Sequence, residues 1–241
     1  MSANVISETL PTPAALAQHV ADWMTELACA KQDRFAIALS GGSTPRLLYQ
    51  TLAEEPYLDR FPWQRVHWFW GDERFVPHSN PDSNYRMTAD AMLSLVPVLH
   101  GQIHPIPTVG VTAEEAADAY QSELRAFYGA DFLNPTHNLF DIVLLGLGED
   151  GHTASLFPGS PALDESGRWA AVADKGGQTR ITLTYPVLES CDHAAFLVSG
   201  ASKRDILARV RNGDKSLPAS RFRPVGDLHF FTDSEAAGCA G

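Results

Sequence analysis

The sequence predicts an α/β fold built on a mostly parallel β-sheet with helices on both faces. Short apolar runs alternate along the chain with longer stretches of helical periodicity, the order expected of repeated βαβ units. Several of the apolar runs end directly in a polar loop that contains glycine. The 241 residues are enough to bury a large core, and no polar low-complexity linker divides them. We therefore expect residues 1–241 to form a single domain.

The first third of the chain alternates between helix and strand. Residues 13–27 carry apolar side chains at three- and four-residue steps behind the capping residue Thr12, which predicts a covering helix. Phe35–Leu39 is a short apolar run that ends in the loop SGGSTP and leads to a helix at residues 46–52. Val66–Trp70 is rich in aromatic residues and predicts a strand that ends in GDERFVP.

The rest of the chain repeats this alternation. Thr112 and Glu115 form a capping-box pair that opens a helix extending to about Tyr128. Phe140–Leu145 is an aliphatic run bounded by Gly146 and predicts a buried strand. Further predicted strands are residues 103–107, 169–173, 181–184, 194–198 and 228–231, and further helices are residues 85–95 and 203–211.

Four polar segments follow predicted strands directly: SGGSTP, GDERFVP, GEDGHTASLFP and SGASK. In a parallel sheet, the loops that follow the strands gather at one edge. These segments, far apart in sequence, should therefore meet there and form the functional site.

Charge and composition exclude several classes of function. The formal net charge is −11 and the basic residues are scattered, so nucleic-acid binding is not supported. No window approaches the roughly 18 apolar residues of a membrane span. The first residues also lack the basic and apolar regions of a secretion signal. We expect a soluble, cytoplasmic protein without membrane association.

Cysteine and metal motifs are also missing from the sequence. Cys29, Cys191 and Cys239 are far apart and form no CxxC pair, so neither a disulfide framework nor a zinc site is indicated. The simpler interpretation is a reducing compartment. No HExxH spacing occurs, and the adjacent Asp72 and Glu73 are too few to predict a cation site. We therefore expect no metal.

The SGGSTP loop is a candidate anion site. Gly41, Gly42, Ser43 and Thr44 offer backbone N–H groups and hydroxyls just before a predicted helix, and such a nest attracts phosphate or carboxylate. The spacing fits neither the dinucleotide fingerprint nor the Walker loop. An ordinary strand-to-helix turn capped by serine or threonine is the alternative.

The GDERFVP loop places charged side chains in one turn. Arg74 is suited to hold a phosphate or a developing oxyanion, and Asp72 is suited to act as a base or to orient an imidazole. Charged loops are more often solvated surface, and only the position after a strand favours function here. Arg180 and Lys203 are further cations that could either bind an anion at the site or be solvated surface charges.

His152 is the principal catalytic candidate. Its imidazole titrates near neutrality and follows Asp150 and Gly151 within the glycine loop. Asp150 is placed to fix the tautomer of the ring, although two residues of separation in a loop do not guarantee contact. We assign structural roles to the other histidines.

With these motifs in hand, the sequence resembles the 6-phosphogluconolactonase family, in its short form related to sugar-phosphate isomerases. The resemblance runs through nearly the whole chain in the segments ALSGGSTP, WGDERFVP, SNYRMTADAML, DIVLLGLGEDGHTASLFPGSPAL, RITLTYPVL and FLVSGASKRDIL. Glucosamine-6-phosphate deaminases are similar but continue the DGH loop with an Asn-Glu-Pro stretch. Here residues 155–158 are SLFP, which favours the lactonase.

The resemblance implies a Rossmann-like fold of the sugar-phosphate isomerase/deaminase type and hydrolysis of 6-phospho-D-glucono-1,5-lactone to 6-phosphogluconate. By motif, His152 is the general base that activates water. The SGGST loop, Asn84, Arg74 and Lys203 line the substrate pocket. The implied partner is a small-molecule substrate, no cofactor is needed, and the expected state is a monomer or weak homodimer.

Two other functions are compatible with a sugar-phosphate pocket of this kind. An amino-sugar-phosphate deaminase or isomerase would use Asp72 to move a proton between carbons. A non-catalytic sugar-phosphate sensor would be expected to carry a DNA-binding segment or to lack His152, and neither applies to this sequence. Ser43 as a nucleophile is disfavoured because the chain lacks a GxSxG elbow.

Overall fold

A computed structural model describes residues 4–238. The strands are β1 Val5–Leu10, β2 Phe35–Leu39, β3 Val66–Trp70, β4 Asp72–Arg74, β5 Ile103–His104, β6 Phe140–Leu145, β7 Ala170–Lys175, β8 Gln178–Leu183, β9 Cys191–Val198 and β10 Asp227–Asp233. The helices are α1 Pro13–Ala30, α2 Ser43–Leu52, α3 Tyr57–Arg60, α4 Asn84–Thr88, α5 Ala113–Tyr128, α6 Tyr185–Glu189, α7 Arg204–Arg211, α8 Pro218–Arg221 and α9 Ser234–Ala237. Short 3₁₀ turns occupy Trp63–Arg65, His100–Gln102, Pro161–Leu163 and Ala201–Lys203.

The main sheet has seven strands in the order β1-β10-β9-β6-β2-β3-β5, and every pairing in it is parallel. Its central strands β2 and β6 are buried along their whole length, as near-continuous apolar runs in a two-sided sheet require. The predicted mostly parallel α/β fold is therefore confirmed. The carboxyl ends of β2, β3, β6 and β9 meet at one edge.

A second, antiparallel sheet of three strands has the order β4-β8-β7. The segment Asp72–Arg74, expected to be a loop, is its first strand, and it pairs with β8 so that Arg74 lies opposite Arg180. The sequence predicted β7 and β8 as strands but did not indicate their separation from the main sheet. This small sheet carries charged side chains toward the edge where the parallel strands end.

Helix ends follow the capping signals of the sequence. Thr12 Oγ1 accepts from the Ala15 N–H, with Pro13 in the first helical turn. Thr112 and Glu115 form the expected capping box, and α5 ends at Gly129 in the left-handed conformation.

Two elements differ from the expectation. The helix expected at residues 85–95 is α4 followed by a π-helical turn, Ala89–Leu93. Strand β1 was not predicted, because its residues alternate between exposed and partly buried at the sheet edge and give no apolar run.

One hydrophobic cluster runs through the described part of the chain, and its largest buried side chains include Trp68 and Trp70. Cys191 is buried and Cys29 is exposed, and both are free thiols. Cys239 lies outside the described residues. No helix within residues 4–238 has the length and apolar character needed to cross a membrane.

Candidate active site

An open cleft of about 220 Å³ lies at the edge where β2, β3, β6 and β9 end. The lining residues come from every one of the loops expected to converge: Ser40, Gly41, Gly42, Asp72, Arg74, Asn84, Gly146, Leu147, Gly148, His152, Ala154, Arg180 and Lys203. The convergence predicted from the sequence is therefore observed.

The start of helix α2 borders the cleft. Gly42 is its N-cap residue with φ of +111°, and no side chain within the described residues caps the helix. The unpaired N–H groups of the first turn and the positive end of the helix dipole therefore lie beside the cleft, where they favour an anion. Ser43 and Thr44 belong to this first turn, but neither is among the lining residues.

Asp72 is held by polar groups on several sides. Ser155 Oγ donates to Asp72 Oδ2 at 2.5 Å, and Asn84 Nδ2 donates to the Asp72 carbonyl at 2.8 Å. Arg180 lies 3.9 Å from the same carboxylate in a part of the cleft where both side chains are largely buried. This carboxylate is thus fixed in place before any ligand arrives.

Glu73 is buried rather than solvated, and it fixes β4 to α4. Its carboxylate accepts from Ser83 Oγ at 2.9 Å and from the N–H groups of Asn84, Tyr85 and Arg74 at 2.7, 2.8 and 2.8 Å. Burial raises the pKa of Glu73, and these hydrogen bonds oppose the rise. The arrangement places Asn84 and Arg74 at the cleft from two different elements.

His152 is carried by a loop that closes on itself. The Gly148 N–H donates to the His152 carbonyl, and the Gly151 N–H donates to the Gly148 carbonyl, both at 2.9 Å. Gly151 has φ of +80°, which glycine adopts without strain. A Cβ atom at position 148 would overlap the His152 ring and lie 2.7 Å from Asp150 Oδ1. Gly148 and Gly151 are therefore required by the shape of the loop.

The Nδ1 edge of the His152 ring contacts Asp150 and Lys175. Asp150 Oδ1 is hydrogen-bonded to Nδ1, while Lys175 Nζ lies 3.1 Å from Asp150 Oδ2 and 3.3 Å from Nδ1. Because an ionised carboxylate can only accept, we assign the proton to Nδ1, which donates it to Asp150. Nε2 then keeps its lone pair. Of the two candidates to orient the imidazole, Asp150 makes the contact and Asp72 does not.

The electrostatic surroundings keep the His152 ring neutral. Burial lowers its pKa, and so does the Lys175 charge, while Asp150 and Asp72 raise it, with a net result below the ordinary value. Burial raises the pKa of Asp150, but the hydrogen bonds and charge of His152 and a hydrogen bond from Lys175 lower it to about 2. The pair is therefore an ionised carboxylate and a neutral imidazole near pH 7.

Cations line the side of the cleft formed by the small sheet and by the loop after β9. Arg74 donates to the Asp82 carbonyl at 2.6 Å, and Arg180 donates to Gln178 at 2.8 Å. The Nε atoms of both arginines are buried without a hydrogen-bond partner among the described residues. Lys203 reaches the same cleft from the turn before α7. Together they make a site for a ligand with more than one anionic or electron-rich oxygen.

The structure separates the predicted site residues into two groups. Residues that line the cleft are Gly41, Gly42, Asp72, Arg74, Asn84, His152, Arg180 and Lys203. Ser43, Thr44, Asp150 and Gly151 lie behind them, in the first turn of α2 or in the His152 loop. The sequence did not indicate Lys175 or Ser155, which reach the site only through the pairing of β7 with β8 and the fold of the loop after β6.

Comparison with known proteins agrees with this architecture. The model of the family described as glucosamine-6-phosphate isomerases/6-phosphogluconolactonase matches residues 11–230. A Synechocystis protein named 6-phosphogluconolactonase is 41% identical over 212 residues, covering 87% of this chain and 86% of its own. A Nostoc protein of the same name is 39% identical over 235 residues, covering 95% of each.

The solved 6-phosphogluconolactonase from Trypanosoma cruzi is 32% identical and superposes with a TM-score of 0.83, covering 99% of this chain and 97% of that chain. The resemblance noted from the motifs is thereby confirmed across the whole fold. The chain belongs to the glucosamine-6-phosphate isomerase/6-phosphogluconolactonase family.

Proposed function

We propose that this protein is a carboxylic ester hydrolase that converts 6-phospho-D-glucono-1,5-lactone to 6-phospho-D-gluconate, the second step of the oxidative pentose phosphate pathway. Relatives that share about two-fifths of its residues carry the name 6-phosphogluconolactonase. The observation that carries the proposal is the His152 imidazole, hydrogen-bonded to Asp150 and facing a cleft that is also lined by Arg74, Arg180 and Lys203.

His152 acts as a general base in this mechanism. Nε2 takes a proton from water while the water oxygen bonds to the lactone carbonyl carbon, which becomes tetrahedral with an anionic oxygen. The bond between that carbon and the ring oxygen then breaks, and protonated His152 returns its proton to the ring oxygen. The new carboxylic acid ionises, so each turnover releases one proton to the solution.

Asp150 and Lys175 position the base. With Nδ1 donating to Asp150, the ring cannot rotate to present the wrong nitrogen, and the ionised carboxylate stabilises the imidazolium that forms. Lys175 contacts the second oxygen of Asp150 and opposes protonation of His152 in the resting state. The base is therefore oriented and unprotonated before the substrate binds.

The anionic groups of the substrate are met by placed cations and by the start of α2. A phosphate at the Gly41–Gly42 turn would interact with the helix dipole and with unpaired N–H groups. Arg74 and Lys203 are assigned to the substrate oxygens, including the oxyanion. A net charge of −11 repels anionic ligands at long range, so this local arrangement must supply the attraction.

The proposal is tested by following proton release in a weakly buffered solution after addition of freshly generated 6-phosphogluconolactone. We expect rapid release above the spontaneous rate, with 6-phosphogluconate as the product. Glucosamine-6-phosphate is the comparison substrate, because a deaminase would release ammonia from it by proton transfer at Asp72. Ammonia release without lactone hydrolysis would overturn the proposal, and binding of both sugar phosphates without turnover would identify a sensor.

Two further expectations stay predictions. The cytoplasmic location is expected from the cysteine pattern and from the lack of secretion and membrane-span patterns in the sequence, and the expected state is a monomer or weak homodimer. Neither affects the chemistry proposed for the cleft.

A further inference from the structure

A second cluster of titratable side chains lies at the starts of β9 and β10. Asp227 is paired in register with His193, and His229 follows Asp227 by two residues, which places all three side chains on one face of the sheet. Because both strands run parallel and the cleft lies at their carboxyl-end edge, this cluster sits at the opposite edge from His152.

The donor atoms of this cluster are close together. One donor atom from each of the three residues lies within 4.8 Å of the others, and His193 Nδ1 is 3.9 Å from Asp227 Oδ2. Among the described residues, His193 Nδ1 and both ring nitrogens of His229 have no hydrogen-bond partner. His229 is only 5% exposed, so an imidazole with two unused nitrogens is buried beside a carboxylate.

Trp23 of α1 covers the cluster. Its ring centroid lies 5.8 Å from that of His193 and 5.0 Å from that of His229. Asp227 remains partly exposed and leaves a route from solvent.

In a different histidine pair of the chain, the ring nitrogens have hydrogen-bond partners within the protein. His67 Nδ1 and His104 Nε2 are 2.9 Å apart, and His104 Nδ1 is 2.6 Å from Glu123 Oε1. Those donors and acceptors are used within the protein. His193 Nδ1 and both ring nitrogens of His229 have no such partner among the described residues, and this contrast points to an external ligand.

We propose that His193, Asp227 and His229 bind one divalent transition-metal ion of the zinc class. Two imidazole nitrogens and one carboxylate oxygen are the donor set that Zn²⁺ and its neighbours accept, with water completing a four-coordinate site. Bond lengths of about 2.0–2.2 Å require donors roughly 3.5 Å apart, so the side chains must close by about 1 Å. The ion would join β9 to β10, away from the catalytic cleft, and its role is structural.

No pattern in the sequence indicated this site, because His193 lies more than 30 positions before Asp227 and His229, and the three residues follow no known metal-binding spacing. Only the parallel pairing of β9 with β10 brings them together. The proposal therefore revises two expectations from the sequence. One is that the chain holds no metal, and the other is that these histidines serve only in packing.

The experiment is a calorimetric titration of the metal-free full chain with Zn²⁺, repeated with Co²⁺ to record its visible absorption. The variants are His193→Gln and Asp227→Asn, with His67→Gln as the matched control and His152→Gln to remove the histidine of the cleft. We expect one ion per chain in the wild type, His67→Gln and His152→Gln, and a loss of affinity of more than about ten-fold in the other two. The Tm of the wild type should rise with Zn²⁺.

Three results would overturn the proposal: no binding to the wild type, binding unchanged in both His193→Gln and Asp227→Asn, or binding lost in His152→Gln. Asp227→Asn is the decisive variant, since its side chain is partly exposed and the change keeps its shape. Lactonase activity plays no part in this readout, so the two proposals fail independently.

Discussion

Lys175 Nζ lies 3.1 Å from Asp150 Oδ2, although Lys175 belongs to the small antiparallel sheet and Asp150 to a loop of the parallel one. Asp150 comes from the loop after β6 of the parallel sheet, and Lys175 ends strand β7 of the antiparallel one. The small sheet therefore contributes directly to the electrostatics of His152, which follows Asp150 in the same loop.

Replacing Lys175 by Met should make His152 easier to protonate. The Lys175 charge lowers the pKa of His152, so its removal raises that pKa, and the base becomes protonated at a higher pH. The acidic limb of the kcat/KM profile should move to higher pH. Rates measured between pH 5 and 9 in wild type and variant test this, and superimposable profiles would remove Lys175 from the electrostatics of the site.

Replacing Asp150 by Asn should shift the profile the other way. Asp150 raises the pKa of His152, so its loss lowers that pKa and moves the acidic limb to lower pH. Turnover should fall by between about 10² and 10⁴-fold, because the amide no longer fixes the tautomer or stabilises the imidazolium. An acidic limb that moves in the same direction as in Lys175→Met would contradict the assigned contacts.

Replacing His152 by Gln should remove the base and leave binding nearly intact. We expect kcat to fall by about 10² to 10⁴-fold with little change in KM, since the ring acts in the transition state. His100→Gln is the control, because His100 is exposed and lies outside the cleft. Near-normal turnover in His152→Gln would exclude the proposed mechanism.

Lys203→Ala should act mainly on substrate binding. Lys203 lines the cleft beside the anion-favouring start of α2, and we expect KM to rise by about ten-fold or more, as for a lost charge-assisted hydrogen bond. Lys215→Ala is the matched control, since Lys215 is exposed and does not line the cleft. Equal KM values in the two variants would show that Lys203 does not bind the substrate and is only a charge near the end of a helix.

Gly148→Ala tests the packing of the His152 loop. The added methyl group would overlap the His152 ring and crowd Asp150, so the imidazole must leave its position. We expect kcat to fall by about 10²-fold, as for a misplacement of about 1 Å, with a smaller effect on Tm. Gly101→Ala is the control because a Cβ there meets no atom within 4 Å. A fully active Gly148→Ala enzyme would show that the loop geometry is not required.

The site could be predicted from the sequence wherever it depends on strand order. A buried apolar run followed by glycine and charge marks the carboxyl end of a parallel strand, and this rule placed Gly41, Asp72, His152 and Lys203 at one edge. The motif could not show that Asp150 rather than Asp72 holds the ring. That outcome depends on how the loop from residue 148 to 152 closes.

Other features depend on contacts that no local pattern encodes. Lys175 is the last residue of β7, and from the sequence alone it resembles a solvated charge, because only the pairing of β7 with β8 places it at the site. Strand β1 has a polar, alternating sequence and forms only because β10 offers a parallel edge. The buried partners of Glu73 belong to the next helix, so a residue that resembles surface charge in the sequence is part of the scaffold.

Glu189→Gln should stabilise the protein in alkaline but not in acidic solution. Burial raises the pKa of Glu189 to about 7, against the hydrogen bond and charge of Arg223. The folded state therefore binds this proton more tightly than the unfolded chain does, so the contribution of Glu189 to stability is fully present below pH 4.5 and is lost as pH rises through about 7. Glutamine keeps an acceptor for the Arg223 N–H without a charge to bury.

The free energy of unfolding of Glu189→Gln should exceed that of the wild type by roughly 1–2 kcal/mol at pH 8, a value reduced for partial exposure, and should match the wild type near pH 4. Urea unfolding at both pH values measures the difference, with Glu26→Gln as an exposed control. A gain of equal size at both pH values would mean that packing, not the buried charge, sets the stability at this position.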